Sequence, residues 1–145
     1  MIPLIEPYKV TSPFGVKRNI EGIGEHIHDG IDLVSHVNCN VYAAVSGVVI
    51  SDKDDYVHAN RWIKGGGNTV GNRVLLKSKI AGEVYYCAYY HLVNNYVEIG
   101  QEVEAGKIIG LYDNVGMSTG AHLHFMMWND KWEVIDPALG LEAKC

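Results

Sequence analysis

Short β-favouring runs broken by turn residues recur along the chain, and no stretch keeps a 3.6-residue apolar period for twelve residues or more. The runs are Val41–Ile50, Val70–Lys77, Glu83–His91, Lys107–Leu111, His122–Trp128 and Trp132–Ile135. Between and within them fall Gly22/Gly24, Gly47, Gly65-Gly66-Gly67, Ala81-Gly82, Asn94-Asn95, Gly106, Gly116 and Asn129-Asp130, residue types that accept tight turns. Val, Ile, Tyr, Phe, Trp and Thr supply 47 of the 145 residues, and the 16 glycines exceed the usual share. The pattern predicts a single all-β domain over residues 1–145, built as a twisted antiparallel sheet with a barrel- or sandwich-like core.

Composition removes several classes. Leu, Ile, Val and Phe total 41 of 145 residues, too many for a disordered chain. The longest apolar run, Val41–Ile50, is ten residues, half of what a membrane-spanning helix needs, so no membrane span is expected. A net charge of −5 with scattered Lys and Arg gives no electrostatic footprint for nucleic acid. The start, Met1-Ile2-Pro3-Leu4-Ile5-Glu6, has no basic leader, apolar h-region or small-residue cleavage site. A chain of this kind is expected to stay where it is made, to leave by lysis or inside a particle, or to begin after processing. Cys39, Cys87 and Cys145 have no CxxC spacing and read as two packed thiols and a tail residue.

Ser51–Asn68 stands apart. It carries Asp52, Asp54, Asp55, His58, Arg61 and Lys64 before the glycine triplet, without periodicity, and is long for a connection in a compact domain. The aspartates lack the spacing of an EF-hand, so a solvated loop forming one wall of a groove is expected there, not a calcium site.

The chemistry-bearing residues are the histidines at 26, 28, 36, 58, 91, 122 and 124. In a strand, His122 and His124 point to one face and Leu123 to the other. His28 and Asp32, at i and i+4, share a face in a strand or a helix and can converge on one cation, with Gly30 between them allowing a tight turn. Imidazole and carboxylate are ordinary zinc ligands, and a third protein ligand leaves the fourth position open, the arrangement of a catalytic site. The third ligand must come from elsewhere, and the His122/His124 pair can supply it. Spacing alone is equally compatible with two unrelated histidine clusters, one on a solvated loop and one in a sheet. His26-Ile27-His28 is a second HxH pair and warns against reading either one by itself. His26 fits a rim position, His36 a surface or core position and His58 the long loop, while Tyr85-Tyr86 and Tyr89-Tyr90 fit sheet packing.

His28-Asp29-Gly30-Ile31-Asp32 resembles the HxxxD signature of the lysostaphin/LytM-type zinc endopeptidases, and His122-Leu123-His124-Phe125 resembles their HxH signature. The resemblance runs from about Thr11 to Pro137. It takes in Thr11-Ser12-Pro13-Phe14-Gly15, the strand from Val41 to Val49, Gly71-Asn72-Arg73-Val74, Tyr90-His91-Leu92, Gly100–Gly110, Ser118-Thr119-Gly120-Ala121 and Asp136-Pro137. Ala121 stands where the family more often has proline, and Cys87-Ala88-Tyr89 ahead of Tyr90-His91 is unusual.

Carried over by position, the resemblance implies that His28, Asp32 and His124 bind one Zn2+ per chain, and that His91 and His122 are non-ligand catalytic histidines. It implies a zinc endopeptidase acting on the cross-links or stem peptides of peptidoglycan at the bacterial cell wall. A short single domain without a leader or wall-binding module is what is expected of a phage lysis or tail enzyme or of an excised catalytic domain. A second reading is a non-catalytic peptidoglycan-binding or regulatory module of the same fold, which has no need for both non-ligand histidines. A third starts from Gly100–Gly110, which looks like hairpins of biotinyl and lipoyl carrier domains. There, however, Lys107 sits in an apolar run and not at an exposed tip.

Overall fold

Alternation along the predicted runs sorts their side chains onto two faces, and one face closes over the core. In the strand Leu123–Asn129, Leu123, Phe125 and Met127 are fully buried, whereas His124 and Trp128 lie half-buried on the opposite face. The computed structural model describes residues 3, 8–20, 24–51, 72–112 and 121–137. Among them every regular element is a strand: β1 (Tyr8–Ser12), β2 (Lys17–Ile20), β3 (Gly24–Ile27), β4 (Ile31–Ser35), β5 (Asn40–Tyr42), β6 (Gly47–Ser51), β7 (Asn72–Ile80), β8 (Glu83–Asn95), β9 (Glu102–Val103), β10 (Ile108–Tyr112), β11 (Leu123–Asn129) and β12 (Val134–Ile135).

All pairings are antiparallel. The main sheet runs β1-β4-β11-β8-β7-β6-β9, with β10 joining β8 to β5 and β12 added to β11, while β2 and β3 form a separate ribbon. The path ends at β1 and β9 and does not close into a barrel. β7 and β8 are joined by Ala81-Gly82, both left-handed at φ 52° and 85°, the backbone of a two-residue hairpin whose twist matches its strands. The centre of the core is Leu33, Leu76, Tyr89, Ile109 and Phe125, with Tyr89 and Phe125 in ring contact at 5.0 Å. The Tyr89 hydroxyl accepts a hydrogen bond of 3.0 Å from the Ala44 amide, so the buried phenol also ties down the segment between β5 and β6.

The continuous run Val41–Ile50 is two strands, not one. Val41 pairs through β5 with β10, whereas Val48 and Val49 pair through β6 with β7, and residues 43–46 turn between these partners. Gly47 makes the second pairing possible, because a Cβ there would come within 2.6 Å of Ser78 Oγ and 2.7 Å of the Lys77 carbonyl. Beyond Ser51, the long charged loop with His58 lies outside the described residues, as do Ser118–Gly120 and Cys145. Cys87 is packed as expected, but Cys39 is exposed because it precedes β5 at the surface.

Candidate metal centre

Two neighbouring strands and one connecting segment build the site. In the pairing of β4 with β11, Asp32 stands directly opposite His124. Directly opposed residues put their side chains on the same face, so the carboxylate and the imidazole meet without any bend in the sheet. The Nδ1 atom of His124 lies 2.8 Å from Asp32 Oδ1. His28 opens the segment between β3 and β4 and is held by two backbone hydrogen bonds of 2.9 Å, from its own amide to the Val16 carbonyl and from the Gly15 amide to its carbonyl. Its Nε2 lies 3.2 Å from Asp32 Oδ1 and 3.2 Å from His124 Nδ1.

His28, Asp32 and His124 therefore present three donor atoms within 4.8 Å of one another, and among the described residues they are the group placed to hold a metal ion. Two ligands at the usual zinc distances of about 2.0–2.2 Å subtend roughly 3.3 Å at a tetrahedral centre, so the donor triangle needs only a few tenths of an ångström of opening. The environment of His28 favours the same use. Its Nδ1–H donates to the Pro13 carbonyl at 2.9 Å, with Ser12 Oγ at 3.4 Å, which leaves the Nε2 lone pair facing the other two donors. The segment Thr11–Gly15 thus supplies the outer partner of one candidate ligand.

Gly30 is required by a close approach and not by a turn. Its backbone is not left-handed, but a Cβ on it would meet the Phe125 carbonyl at 2.5 Å, Met126 Cγ at 2.8 Å and His124 Nε2 at 3.0 Å. Any side chain there would push the entry to β4 away from β11 and pull the donor atoms apart.

His91 and His122 sit beside the triangle. His122 precedes β11, shares the His124 face as alternation predicts, and places Nε2 3.6 Å from Asp32 Oδ1. The His91 ring is edge-on to His122 at 4.8 Å between centroids and 5.9 Å from His124. It gets there through a β-bulge. Asn72 pairs with Leu92 and Val74 with Tyr89, so Tyr90 and His91 together oppose Arg73, and His91 takes the left-handed φ of 66°. His91 is 8% exposed, and Tyr90 next to it brings its ring to 5.6 Å from His124. All five residues singled out in the sequence meet here. His36 is exposed and stands apart, and the side chain of His26 lies outside the described residues.

Charge in the site is organised around His124. Burial works against its protonation, but hydrogen bonds with Asp29 and Asp32, and then their negative charge, hold its pKa above the ordinary imidazole value. Asp29 is held below the ordinary carboxyl value, chiefly by its hydrogen bond with His124, with burial opposing and the charges of His124 and His28 adding. Sequence reasoning passed over Asp29 as a spacer inside the His28–Asp32 motif. The signal available was an acidic side chain next to a candidate ligand.

The chain is similar in sequence and fold to known peptidases. The profile of peptidase family M23 matches residues 26–137. The chain is 29% identical over 125 residues to the peptidoglycan DD-endopeptidase ShyA of Vibrio cholerae, covering 85% of this chain and 25% of that protein. Among solved structures, a zinc containing peptidase from Vibrio cholerae superposes with a TM-score of 0.71 at 29% identity, over 93% of this chain and 37% of that one. The catalytic domain of lysostaphin from Staphylococcus simulans superposes with a TM-score of 0.71 at 27% identity, over 93% of this chain and 92% of that domain. The present chain spans only 23% to 32% of the length of the first curated relatives it matches.

Proposed function

The chain belongs to peptidase family M23, and on that footing we propose that it is a zinc-dependent endopeptidase hydrolysing peptide bonds of bacterial peptidoglycan, in cross-links or stem peptides. The observation that carries this reading is the convergence of His28 Nε2, Asp32 Oδ1 and His124 Nδ1 with two further histidines alongside. Those three residues would hold one zinc ion per chain. Two imidazoles and a carboxylate suit zinc, whereas calcium and magnesium take oxygen ligands. The solved Vibrio cholerae relative described as zinc containing supports the same choice.

The ion, when bound, supplies Lewis acidity, giving a more acidic attacking water and a polarised scissile carbonyl. The remaining work falls to the chain's own side chains. A neutral His91 or His122 takes a proton from the attacking water, and the protonated partner stabilises the developing oxyanion or delivers a proton to the leaving amine. His91 is suited to this by being buried yet aimed at His122. Peptidoglycan as substrate, and action at the bacterial cell wall, are supported by the relative named as a peptidoglycan DD-endopeptidase. A module that only binds the wall has no use for His91 and His122 in this arrangement.

The test is amine release from purified cell walls by the full chain, with and without chelator and added zinc. Cleavage that stops with chelator and returns with zinc is expected. His124→Ala should lose both metal and cleavage, whereas His91→Ala should keep zinc and lose turnover by about 100-fold or more. Folded, zinc-loaded protein that binds walls without releasing amines would leave the binding module as the answer. Near-full turnover in His91→Ala would remove that histidine from the chemistry.

A further inference from the structure

A metal-ligating imidazole usually gives its second ring N–H to an acceptor that fixes its tautomer and orientation. For His28 that acceptor is the Pro13 carbonyl at 2.9 Å. For His124 the corresponding atom is Nε2, and the group facing it is the carboxylate of Asp29, with Oδ1 3.3 Å away. Asp29 is not itself placed as a ligand. Nδ1 and Nε2 lie on opposite sides of the imidazole, so a group at Nε2 is turned away from the triangle formed by His28 Nε2, Asp32 Oδ1 and His124 Nδ1. Its side chain is 58% exposed, so no packing demand accounts for where its carboxylate sits. The glycine that follows it lets the motif lie against β11 closely enough for the contact, with the Gly30 Cα region against His124 Nε2 and the Phe125 carbonyl.

We infer that Asp29 is a positioning residue for the metal site: its carboxylate accepts the Nε2–H of His124 and so orients the ring with its Nδ1 lone pair toward the ion. The inference rests on the proposed ligand set and adds to it a residue that never touches the ion. Two consequences follow from the chemistry. An acceptor bearing a full negative charge makes the imidazole a stronger donor to the ion than a neutral acceptor does. It also holds the ring in the ligating orientation before the ion arrives, which lowers the ordering cost of binding. Asp29 and Asp32 therefore have different duties within one five-residue motif, the second binding the ion and the first holding its histidine partner.

The experiment is zinc affinity, measured on the full chain by competition with a chromophoric chelator at neutral pH, for wild type, His124→Ala, Asp29→Ala, Asp29→Asn and Asp29→Glu. Asp29→Ala should weaken zinc binding by about 10- to 100-fold, the usual effect of removing an outer partner of a ligating histidine. Asp29→Asn keeps shape but loses charge and should fall between Asp29→Ala and wild type, and Asp29→Glu should restore part of the loss. Circular dichroism of the metal-free variants separates a folding defect from a binding one, and Asp29→Asn stands in if Asp29→Ala does not fold. Zinc affinity within twofold of wild type in folded Asp29→Ala, or equal losses in Asp29→Ala and Asp29→Glu, would overturn the inference while leaving the ligand set intact. Undiminished zinc binding in His124→Ala would overturn the ligand set, and the inference with it.

Discussion

His91 meets His122 edge to face with 4.8 Å between ring centroids, and it does so from a backbone held in the left-handed region at φ 66°. The two facts are connected. The bulge opposite Arg73 is where β8 stops pairing with β11, whose last pair is His124 with Tyr90, and begins pairing with β10 through Leu92. The extra residue at that junction re-aims its side chain across the face that carries the donor triangle. A non-glycine residue in this conformation costs about 1–2 kcal/mol, and the flanking pairings hold it there.

That strain makes a stability prediction separate from catalysis. His91→Gly should be more stable than His91→Ala by about 1 kcal/mol, because glycine enters the left-handed region without a steric cost. Urea unfolding of the two metal-free variants reads the difference. Equal midpoints, or a more stable alanine variant, would mean that the backbone at this position is not held left-handed in solution.

Gly30→Ala should cost about 1–3 kcal/mol or more, since the added methyl has nowhere to go among the Phe125 carbonyl, Met126 and His124. Because the displacement separates β4 from β11, zinc affinity should fall as well. Gly82→Ala serves as the control, with nothing within 4 Å of the new methyl, although its φ of 85° adds local strain. Metal affinity should survive that control and fall in Gly30→Ala.

The metal-free protein should be most stable between about pH 4 and pH 6.5. His124 has a folded pKa above its ordinary value of 6.5, so its contribution is complete below that value and is lost as pH rises through the elevated folded one. Asp29 has a folded pKa below its ordinary 3.8, so its contribution is complete above that value and is lost as pH falls through the lowered one. Thermal unfolding of chelator-treated protein should trace both flanks. Apparent zinc affinity should rise over the alkaline flank, because the ion must displace the proton on His124 Nδ1.

Thiol reagents should separate the cysteines. Burial pushes the Cys87 thiol up to about 12, outweighing its hydrogen bond with Ser78, and its side chain is fully enclosed. Cys39 is exposed. Peptide mapping after brief alkylation of native protein should find Cys39 modified and Cys87 intact, with Cys87 reacting only after denaturation. Comparable labelling of both would show that the face of β8 carrying Tyr89 opens readily.

Local pattern determined a good deal about this protein. β-favouring runs between turn residues located β7, β8, β10 and β11 to within a few residues, and strand geometry adds that successive side chains alternate between two faces. The same alternation put His122 and His124 on one side and Leu123 on the other. The chemistry of His28, Asp32 and the histidine pair pointed to a metal. Tertiary structure decided the rest, because it depends on which backbones approach each other across long separations. Only the pairing of β4 with β11 sets Asp32 opposite His124. Only the close approach of Phe125 explains Gly30. The bulge at His91 and the division of Val41–Ile50 between two pairing partners arise where strands exchange partners, and a strand's own residues do not encode the register of its neighbour. Asp29 belongs with these: it is a spacer in the sequence and an acceptor for His124 in space.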